Sequence, residues 1–208
     1  MDAKICGVKD LKTLNFILKH KYPPKYIGFI CNYPKSKRYL TLSKLKKLIN
    51  VKKKNKIYFV SVLVNPSATT LENITRLKFD YLQLYDVSPK RTKQIKNKFN
   101  VKIITALTIK KLKDVKKYKD YAKISEIILF DSKGYEKSLS FNHKLLDIVP
   151  VKIKKMLAGN IQYNDKLDEY KKITDIIDIS GSLETKGKKD ISKINYFLKG
   201  INKIKKWS

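Results

Sequence analysis

Short runs of apolar, often β-branched residues recur along the chain and alternate with lysine-rich stretches in which apolar residues repeat at helical spacing. Residues 11–18 and 42–49, for example, each carry a leucine and isoleucine face of the kind an amphipathic helix buries. The apolar runs predict eight β-strands, at residues 3–6, 26–30, 57–64, 81–85, 102–107, 126–131, 155–158 and 176–180. The chain therefore reads as a repeated βα pattern.

Eight βα units without a break in composition favour a parallel sheet closed into a (β/α)8 TIM barrel over an open, doubly wound sheet. No Pro-rich or Gly-rich linker divides the chain, so residues 1–208 are predicted to form a single α/β domain. This length is near the lower limit of about 200 residues for the fold, which predicts short loops. Chemistry in such barrels lies where the strands end, so the residues that follow each apolar run are the candidates.

Several function classes are disfavoured by composition. The longest apolar runs are far shorter than the roughly 20 residues that cross a bilayer, and the first residues look like a strand and not like a secretory signal, so we expect a cytoplasmic protein without a membrane partner. Cys6 and Cys31 are too few for a disulfide framework and are expected to be thiols. His20 and His143 have no cysteine or carboxylate pattern around them, so no metal site is predicted.

The formal net charge of +30 raises the question of a nucleic-acid partner. Only Arg38, Arg76 and Arg91 are arginines among 48 basic residues, although nucleic-acid readers rely on arginine for bidentate contacts. The lysines are also dispersed through every segment and do not gather in one stripe. We therefore expect no nucleic-acid partner and attribute the charge to a compositional bias, with a positive field that favours encounters with anionic metabolites.

Titratable or small residues stand at four of the predicted strand ends. Cys6 ends the first strand and Asp131 ends the sixth, while Gly159 and Ser180 introduce small residues after the seventh and eighth. Residues 187–190 are predicted to lie at the start of the last helix. Small residues there allow backbone N–H groups to approach a phosphate, as this fold commonly does. Taken alone, such a cysteine is ordinarily a small core residue and such an aspartate a turn or cap residue.

The motifs KICG, GFI…SKRY, QL, LFDSK, LAG, DISGSLE and GKKD, in this order on these strand ends, resemble the phosphoribosylanthranilate isomerase family over nearly the whole chain. The resemblance implies a cofactor-independent isomerase of tryptophan biosynthesis that rearranges N-(5-phosphoribosyl)anthranilate, a small-molecule substrate, to the carboxyphenylamino-deoxyribulose phosphate. It implies Cys6 as general base and Asp131 as general acid.

The implied pair suits the chemistry. An acid must protonate the ribose ring oxygen to open it, and a base must then take the C2 proton of the resulting imine. Thiolate character at Cys6 requires a nearby positive charge or a helix N-terminus. Asp131 has the opposite need, because only burial or a neighbouring negative charge keeps a carboxyl group protonated near neutral pH.

The resemblance also implies binding roles. Arg38 matches an arginine that grips the anthranilate carboxylate, for which a guanidinium fork is well suited, and Gln83 matches a glutamine near the sugar. A surface charge for Arg38 and a satisfied buried amide for Gln83 are the plainer interpretations. Cys31 matches no catalytic position. The implied phosphate-binding residues are Gly159, Asn160, Ser180 and Gly181.

The chain departs from the family at three places. Tyr85 and Asp86 replace the usual histidine and glycine after the glutamine, and the glycine-rich loop after Asp131 becomes the bulkier stretch 134–141. Asn160 stands in place of a second glycine, although asparagine tolerates the left-handed conformation better than most residues.

Three other hypotheses remain open at this point: a histidine-pathway aldose-ketose isomerase on a related barrel, a basic protein that binds polyanions, and a barrel that has lost activity. Cys6 argues against the first, because the relatives of that pathway use an aspartate there. We expect a monomer or a weak homodimer.

Overall fold

The computed structural model of the protein describes residues 1–53, 56–132 and 141–206. Its strands are short and almost entirely buried. Each predicted strand is present, and every predicted boundary lies within one residue of the observed one. The strands are β1 Asp2–Cys6, β2 Tyr26–Ile30, β3 Tyr58–Val64, β4 Tyr81–Tyr85, β5 Lys102–Thr108, β6 Ile127–Asp131, β7 Lys155–Leu157 and β8 Ile176–Ile179.

All eight strands pair in parallel with their sequence neighbours, and β8 pairs with β1, which closes the barrel. The predicted (β/α)8 TIM barrel is therefore confirmed. Closure places Lys4 of β1 beside Asp178 of β8 in the register, and β1 also pairs with β2, where Cys6 stands opposite Gly28.

Helices connect most of the strands. They are α1 Leu11–Lys19, α2 Leu42–Ile49, α3 Ala68–Thr75, α4 Pro89–Phe99, α5 Leu112–Lys116, α6 Tyr118–Tyr121, α7 Asp168–Lys171 and α8 Ile191–Lys206. Polar side chains define several helix starts: Asp10, Thr41, Ser67 and Ser88 each accept a hydrogen bond from the backbone N–H three residues later. After β6, the described helical segment is a 3-10 helix at His143–Ile148.

One expectation about the last helix is wrong. Residues 187–190 were expected to open it, but Lys188–Lys189 form a short strand, β10, antiparallel to β9 at Glu184–Thr185. Lys186 and Gly187 at the turn both have positive φ, of 50° and 73°, which a helix start does not allow. The helix begins after Asp190, whose carboxylate accepts hydrogen bonds from the backbone of the first turn.

Side chains on each strand alternate between the barrel interior and the layer below the helices. On β4, Leu82 and Leu84 belong to the outer core, whereas Tyr81 and Tyr85 pack in the interior. Gln83 shares the inward face of β4 by the same alternation and is 1% exposed. Within the described residues, no helix is long and apolar enough to span a membrane.

Candidate active site

A cavity of about 350 Å³ opens at the C-terminal ends of the strands. Volumes of a few hundred Å³ are typical of small-molecule sites. Barrel closure brings together side chains from β1, β4, β6 and β8 with the loops after β2, β7 and β8. All eight sequence-predicted site residues line this cavity: Cys6, Arg38, Gln83, Asp131, Gly159, Asn160, Ser180 and Gly181.

A buried ion pair lies directly beneath Cys6. Lys4 is two residues before Cys6 on the same inward face of β1, and its Nζ lies 2.7 Å from Oδ2 of Asp178. The Lys4 side chain is 0% exposed, and its ammonium lies close enough to the Cys6 sulfur for a Cys6 thiolate to raise the pKa of Lys4. Gly28 on β2 leaves the space for both, because a Cβ there would lie 2.8 Å from Cys6 Sγ and 3.1 Å from Lys4 Nζ.

Lys4 retains its charge in this position. Burial alone lowers the pKa of Lys4, but attraction to Asp178 and Cys6 raises it above the usual value. Burial raises the pKa of the Cys6 thiol, and Asp178 adds to this effect, while the ammonium groups of Lys4 and Lys189 oppose it. The positive charge that a Cys6 thiolate needs is therefore present. The effect of burial on the pKa of Cys6 is nevertheless larger, and it keeps the resting thiol protonated at neutral pH.

The environment of Asp131 favours the protonated carboxyl form, unlike the environment of a surface carboxylate. It is 5% exposed, its Oδ2 accepts a hydrogen bond of 2.9 Å from the Tyr85 hydroxyl, and its Oδ1 has no partner among the described residues. Burial raises the pKa of Asp131 to about 7, reinforced by Asp178 and opposed by the Tyr85 hydrogen bond. Near neutral pH a large fraction of this carboxyl group can therefore donate a proton.

Arg38 reaches the cavity from the loop after β2 and is anchored by a carboxylate. Its Nε and Nη2 donate to the two carboxylate oxygens of Glu184, at 2.5 and 2.9 Å, in a bidentate pair. Contact with Glu184 raises the pKa of Arg38 against the opposing effect of burial. The guanidinium keeps further N–H groups that this pair does not use.

Lys189 completes this charged group from the hairpin. Its side chain is 1% exposed, and its Nζ donates to the Ser180 carbonyl at 2.8 Å and contacts Glu184 Oε1 at 3.1 Å. Burial lowers the pKa of Lys189 to about 8, although Glu184 counteracts it. The β9–β10 hairpin, part of which was expected to be helical, therefore places the buried Lys189 ammonium beside the loop after β8.

The loop after β7 has the backbone geometry expected for anion binding. Gly159 and Asn160 both have positive φ, of 100° and 54°, and among the described residues their N–H groups have no acceptor. A Cβ at Gly159 would lie 2.4 Å from Ser132 Oγ, so glycine is required there. The Ser180 hydroxyl donates to the Cys6 carbonyl at 3.0 Å, which ties the loop after β8 to β1.

Five contributors to this site had no assigned role in the sequence analysis: Lys4, Tyr85, Asp178, Glu184 and Lys189. A signal for two of them was visible, because Lys4 and Asp178 are charged residues inside otherwise apolar strands. The stretch 134–141, which the sequence analysis singled out as bulkier than expected, lies outside the described residues except for Phe141. Cys31 does not line the main cavity; it is buried, its thiol donates to the Phe29 carbonyl, and burial raises its pKa to about 12.

Comparison with known sequences identifies one family. A family model described as N-(5'-phosphoribosyl)anthranilate isomerase matches residues 3–200. Relatives named N-(5'-phosphoribosyl)anthranilate isomerase include one from Rhizobium johnstonii, 30% identical over 214 residues, covering 97% of this chain and 94% of the relative. Another, from Clostridium kluyveri, is 30% identical over 208 residues and covers 98% of each chain.

Solved structures show the same fold. Phosphoribosyl anthranilate isomerase from Thermotoga maritima superposes with a TM-score of 0.85 at 23% identity, covering 98% of this chain and 99% of the other. A phosphoribosyl anthranilate isomerase in complex with reduced 1-(o-carboxyphenylamino)-1-deoxyribulose 5-phosphate gives 0.83 at 22% identity, with the same coverage. By its match to the family model over residues 3–200 and its identity to full-length relatives, the chain belongs to the N-(5'-phosphoribosyl)anthranilate isomerase family.

Proposed function

We propose that Cys6 and Asp131 are the general base and general acid with which this isomerase rearranges N-(5'-phosphoribosyl)anthranilate. The observation that carries the proposal is that both side chains line one cavity while coming from different strands, β1 and β6. Two intervening strands, β7 and β8, separate them along the shorter path around the barrel. A sugar between them can exchange protons with each from a different side.

The reaction balances with these two groups alone. Asp131 gives its proton to the ring oxygen, the C1–O bond breaks, and the nitrogen lone pair forms the C=N bond of an iminium. Cys6 thiolate takes the C2 proton, and the released electron pair forms a C1=C2 bond that neutralises the nitrogen. The resulting enolamine takes a proton at C1 from the Cys6 thiol and gives its C2 hydroxyl proton to the Asp131 carboxylate, which yields the ketone and restores both groups.

The pKa directions imply that the productive protonation state is a minor one. It combines Cys6 thiolate with protonated Asp131, although the pKa of the thiol is raised above its usual value and that of Asp131 is about 7. The pH–rate profile should then be bell-shaped, with Asp131 titrating on the acidic limb and Cys6 on the alkaline limb. The adjacent Lys4 ammonium stabilises the thiolate when it forms.

We assign substrate binding to the remaining cavity groups. The N–H groups of Arg38 left over from its pair with Glu184 suit the anthranilate carboxylate. We assign Gln83, which lines the cavity and is linked to Asp131 through Tyr85, to the sugar. The proposed phosphate site consists of backbone groups at Gly159, Asn160, Ser180 and Gly181. Its support is the positive φ of the first two residues and the small side chains of the last two.

The decisive experiment follows the loss of anthranilate fluorescence from freshly generated phosphoribosylanthranilate. Cys6→Ala and Asp131→Asn should each lower kcat by about 100-fold to 10,000-fold, the usual contribution of a general acid or base. Cys31→Ala is the matched control, since it removes the other buried thiol outside the cavity and should retain turnover. Circular dichroism verifies that each variant is folded. Full activity in folded Cys6→Ala or Asp131→Asn would refute the assignment.

We further propose a cytoplasmic enzyme, monomeric or weakly dimeric, that acts on a small anion and not on nucleic acid or a membrane. Support comes from two unpaired thiols and from positive charge carried by dispersed lysines. Sedimentation velocity would test the oligomeric state. Salt-sensitive retention on DNA at physiological ionic strength would contradict the last part of the proposal.

A further inference from the structure

The inward face of β4 carries a hydrogen-bonded chain that ends on Asp131. Gln83 Nε2 donates to the Tyr85 hydroxyl oxygen at 3.3 Å, and that hydroxyl donates to Asp131 Oδ2 at 2.9 Å. Gln83 is 1% exposed, Tyr85 4% and Asp131 5%, so water does not compete for these bonds. Tyr85 is also a residue at which this chain departs from its family, as the sequence analysis noted.

The chain has a defined direction. The Tyr85 oxygen accepts a hydrogen bond from Gln83, and the Tyr85 hydroxyl donates its own hydrogen to Asp131. Burial and the neighbouring Asp131 carboxylate raise the pKa of Tyr85 well above its usual value, so the group remains a phenol and a donor at working pH. A donor aimed at Oδ2 disfavours a proton on that same oxygen.

We propose that Tyr85 is a positioning residue for the general acid, whose hydrogen bond to Oδ2 directs the acidic proton of Asp131 to the other carboxyl oxygen, Oδ1. The proposal rests on the assignment of Asp131 as the acid. Among the described residues Oδ1 is buried and has no hydrogen-bond partner, and the Asp131 side chain lines the cavity. A proton on Oδ1 is therefore not engaged by any described protein group, whereas a proton on Oδ2 would be bonded to the phenol.

The same contact assists the proton transfer. When Oδ1 gives its proton to the ring oxygen and the C1–O bond breaks, Asp131 becomes a carboxylate. The Tyr85 hydrogen bond then becomes charge-assisted and stronger, which stabilises the product of the step. A positioned donor of this kind contributes most in the transition state, where the negative charge develops.

Other groups near Asp131 also influence its pKa. Asp178 raises and Lys4 lowers the pKa of Asp131 through space, and the Ser132 backbone N–H contributes a further lowering. These groups set how readily Asp131 ionises. Among the side chains described, Tyr85 is the one whose hydrogen bond to a particular carboxylate oxygen is resolved.

The test is Tyr85→Phe, which removes the donor and keeps the ring. Tyr81→Phe is the matched control, because Tyr81 lies on the same strand and inward face but at the opposite end, packed against Tyr26 and Tyr58. In Tyr85→Phe the acidic limb of the pH–kcat/KM profile, which we expect near pH 7 in the unaltered enzyme because the pKa of Asp131 is about 7, should move up by about one unit. Tyr81→Phe should leave it in place.

Rates at about pH 5.5 isolate the placement of the proton. Asp131 is protonated in both enzymes there, so a difference in kcat does not arise from a different fraction of protonated acid. We expect kcat of Tyr85→Phe to be lower by about tenfold to 100-fold at this pH, with KM within about twofold. A loss confined to KM, or an unmoved limb with unchanged kcat, would overturn the inference.

A second perturbation acts in the opposite direction and keeps the hydroxyl. Site-specific 3,5-difluorotyrosine at position 85 is a stronger donor, so the acidic limb should move to lower pH; an upward shift or no shift would contradict the inference. Failure of the proposed function is distinguishable, since it would appear as full activity of Asp131→Asn. An active enzyme that needs Asp131 but ignores every change at Tyr85 refutes the positioning role alone.

Discussion

Replacing the proposed general acid should stabilise the folded protein, and the effect should depend on pH. Asp131 is almost completely buried, and burial raises its pKa from 3.8 to about 7. Between these values the folded state holds a proton that the unfolded state has released. The free energy of unfolding therefore falls as pH rises through this window, because ionised Asp131 is disfavoured in the barrel.

The size of this penalty follows from the shift. About 1.4 kcal/mol accompanies each pKa unit, so a shift of roughly three units corresponds to at most about 4 kcal/mol above pH 7. Asp131→Asn removes the ionisation and retains a side-chain oxygen that can accept the Tyr85 hydrogen bond. Its free energy of unfolding should exceed that of the unaltered protein by a few kcal/mol at about pH 8 and by little at about pH 4.

Urea unfolding monitored by circular dichroism at both pH values measures this difference. Asp147→Asn is the control, because Asp147 is exposed on the 3-10 helix and lies away from the cavity. That variant should change stability by less than about 0.5 kcal/mol at either pH. If Asp131→Asn were equally stabilising at the two pH values, or destabilising at pH 8, the argument from burial would be refuted.

Three further substitutions test the surrounding groups. Lys4→Met leaves Asp178 buried without its partner, so the free energy of unfolding should fall by about 3 to 5 kcal/mol. The double variant with Asp178→Leu should recover most of the stability but not the turnover. Recovery of turnover would exclude a role for the Lys4 ammonium. Gly159→Ala places a methyl group 2.4 Å from a neighbouring side-chain oxygen at a φ of 100°, so steady-state kinetics should show KM higher by roughly tenfold or more. Glu184→Gln weakens the charge-assisted pair that orients Arg38, and KM should increase about tenfold with kcat within about twofold; equal losses in kcat would instead indicate a contribution to the chemical step.

The strands were predictable because this fold buries both faces of each strand. A parallel barrel strand therefore appears in the sequence as a short, nearly continuous apolar run, and its ends are marked by the first polar residues. The hairpin at residues 184–189 was not predictable in the same way. It depends on positive φ at Lys186 and Gly187 and on a buried contact of Lys189 with Ser180, neither of which has a periodic signal.

The candidate catalytic pair came from motif resemblance, and its environment came from the structure. Lys4 and Asp178 are separated by 174 positions, and Arg38 and Glu184 by 146, so no local pattern joins them. The sequence showed that Cys6 needs a positive charge and Asp131 a means of staying protonated. It did not reveal that burial would override the ammonium beside Cys6, or that Tyr85 would bond Asp131.

By itself, the sequence determined the eight-unit βα order, the strand ends at which chemistry can occur and, through the order of its motifs, the family. Only the tertiary structure decided which charged side chains form ion pairs and which titratable groups stay protonated. The physical reason is that hydrophobic periodicity is local and survives in the linear chain, whereas pKa values and ion pairs depend on dehydration and on distances that exist once β8 closes against β1.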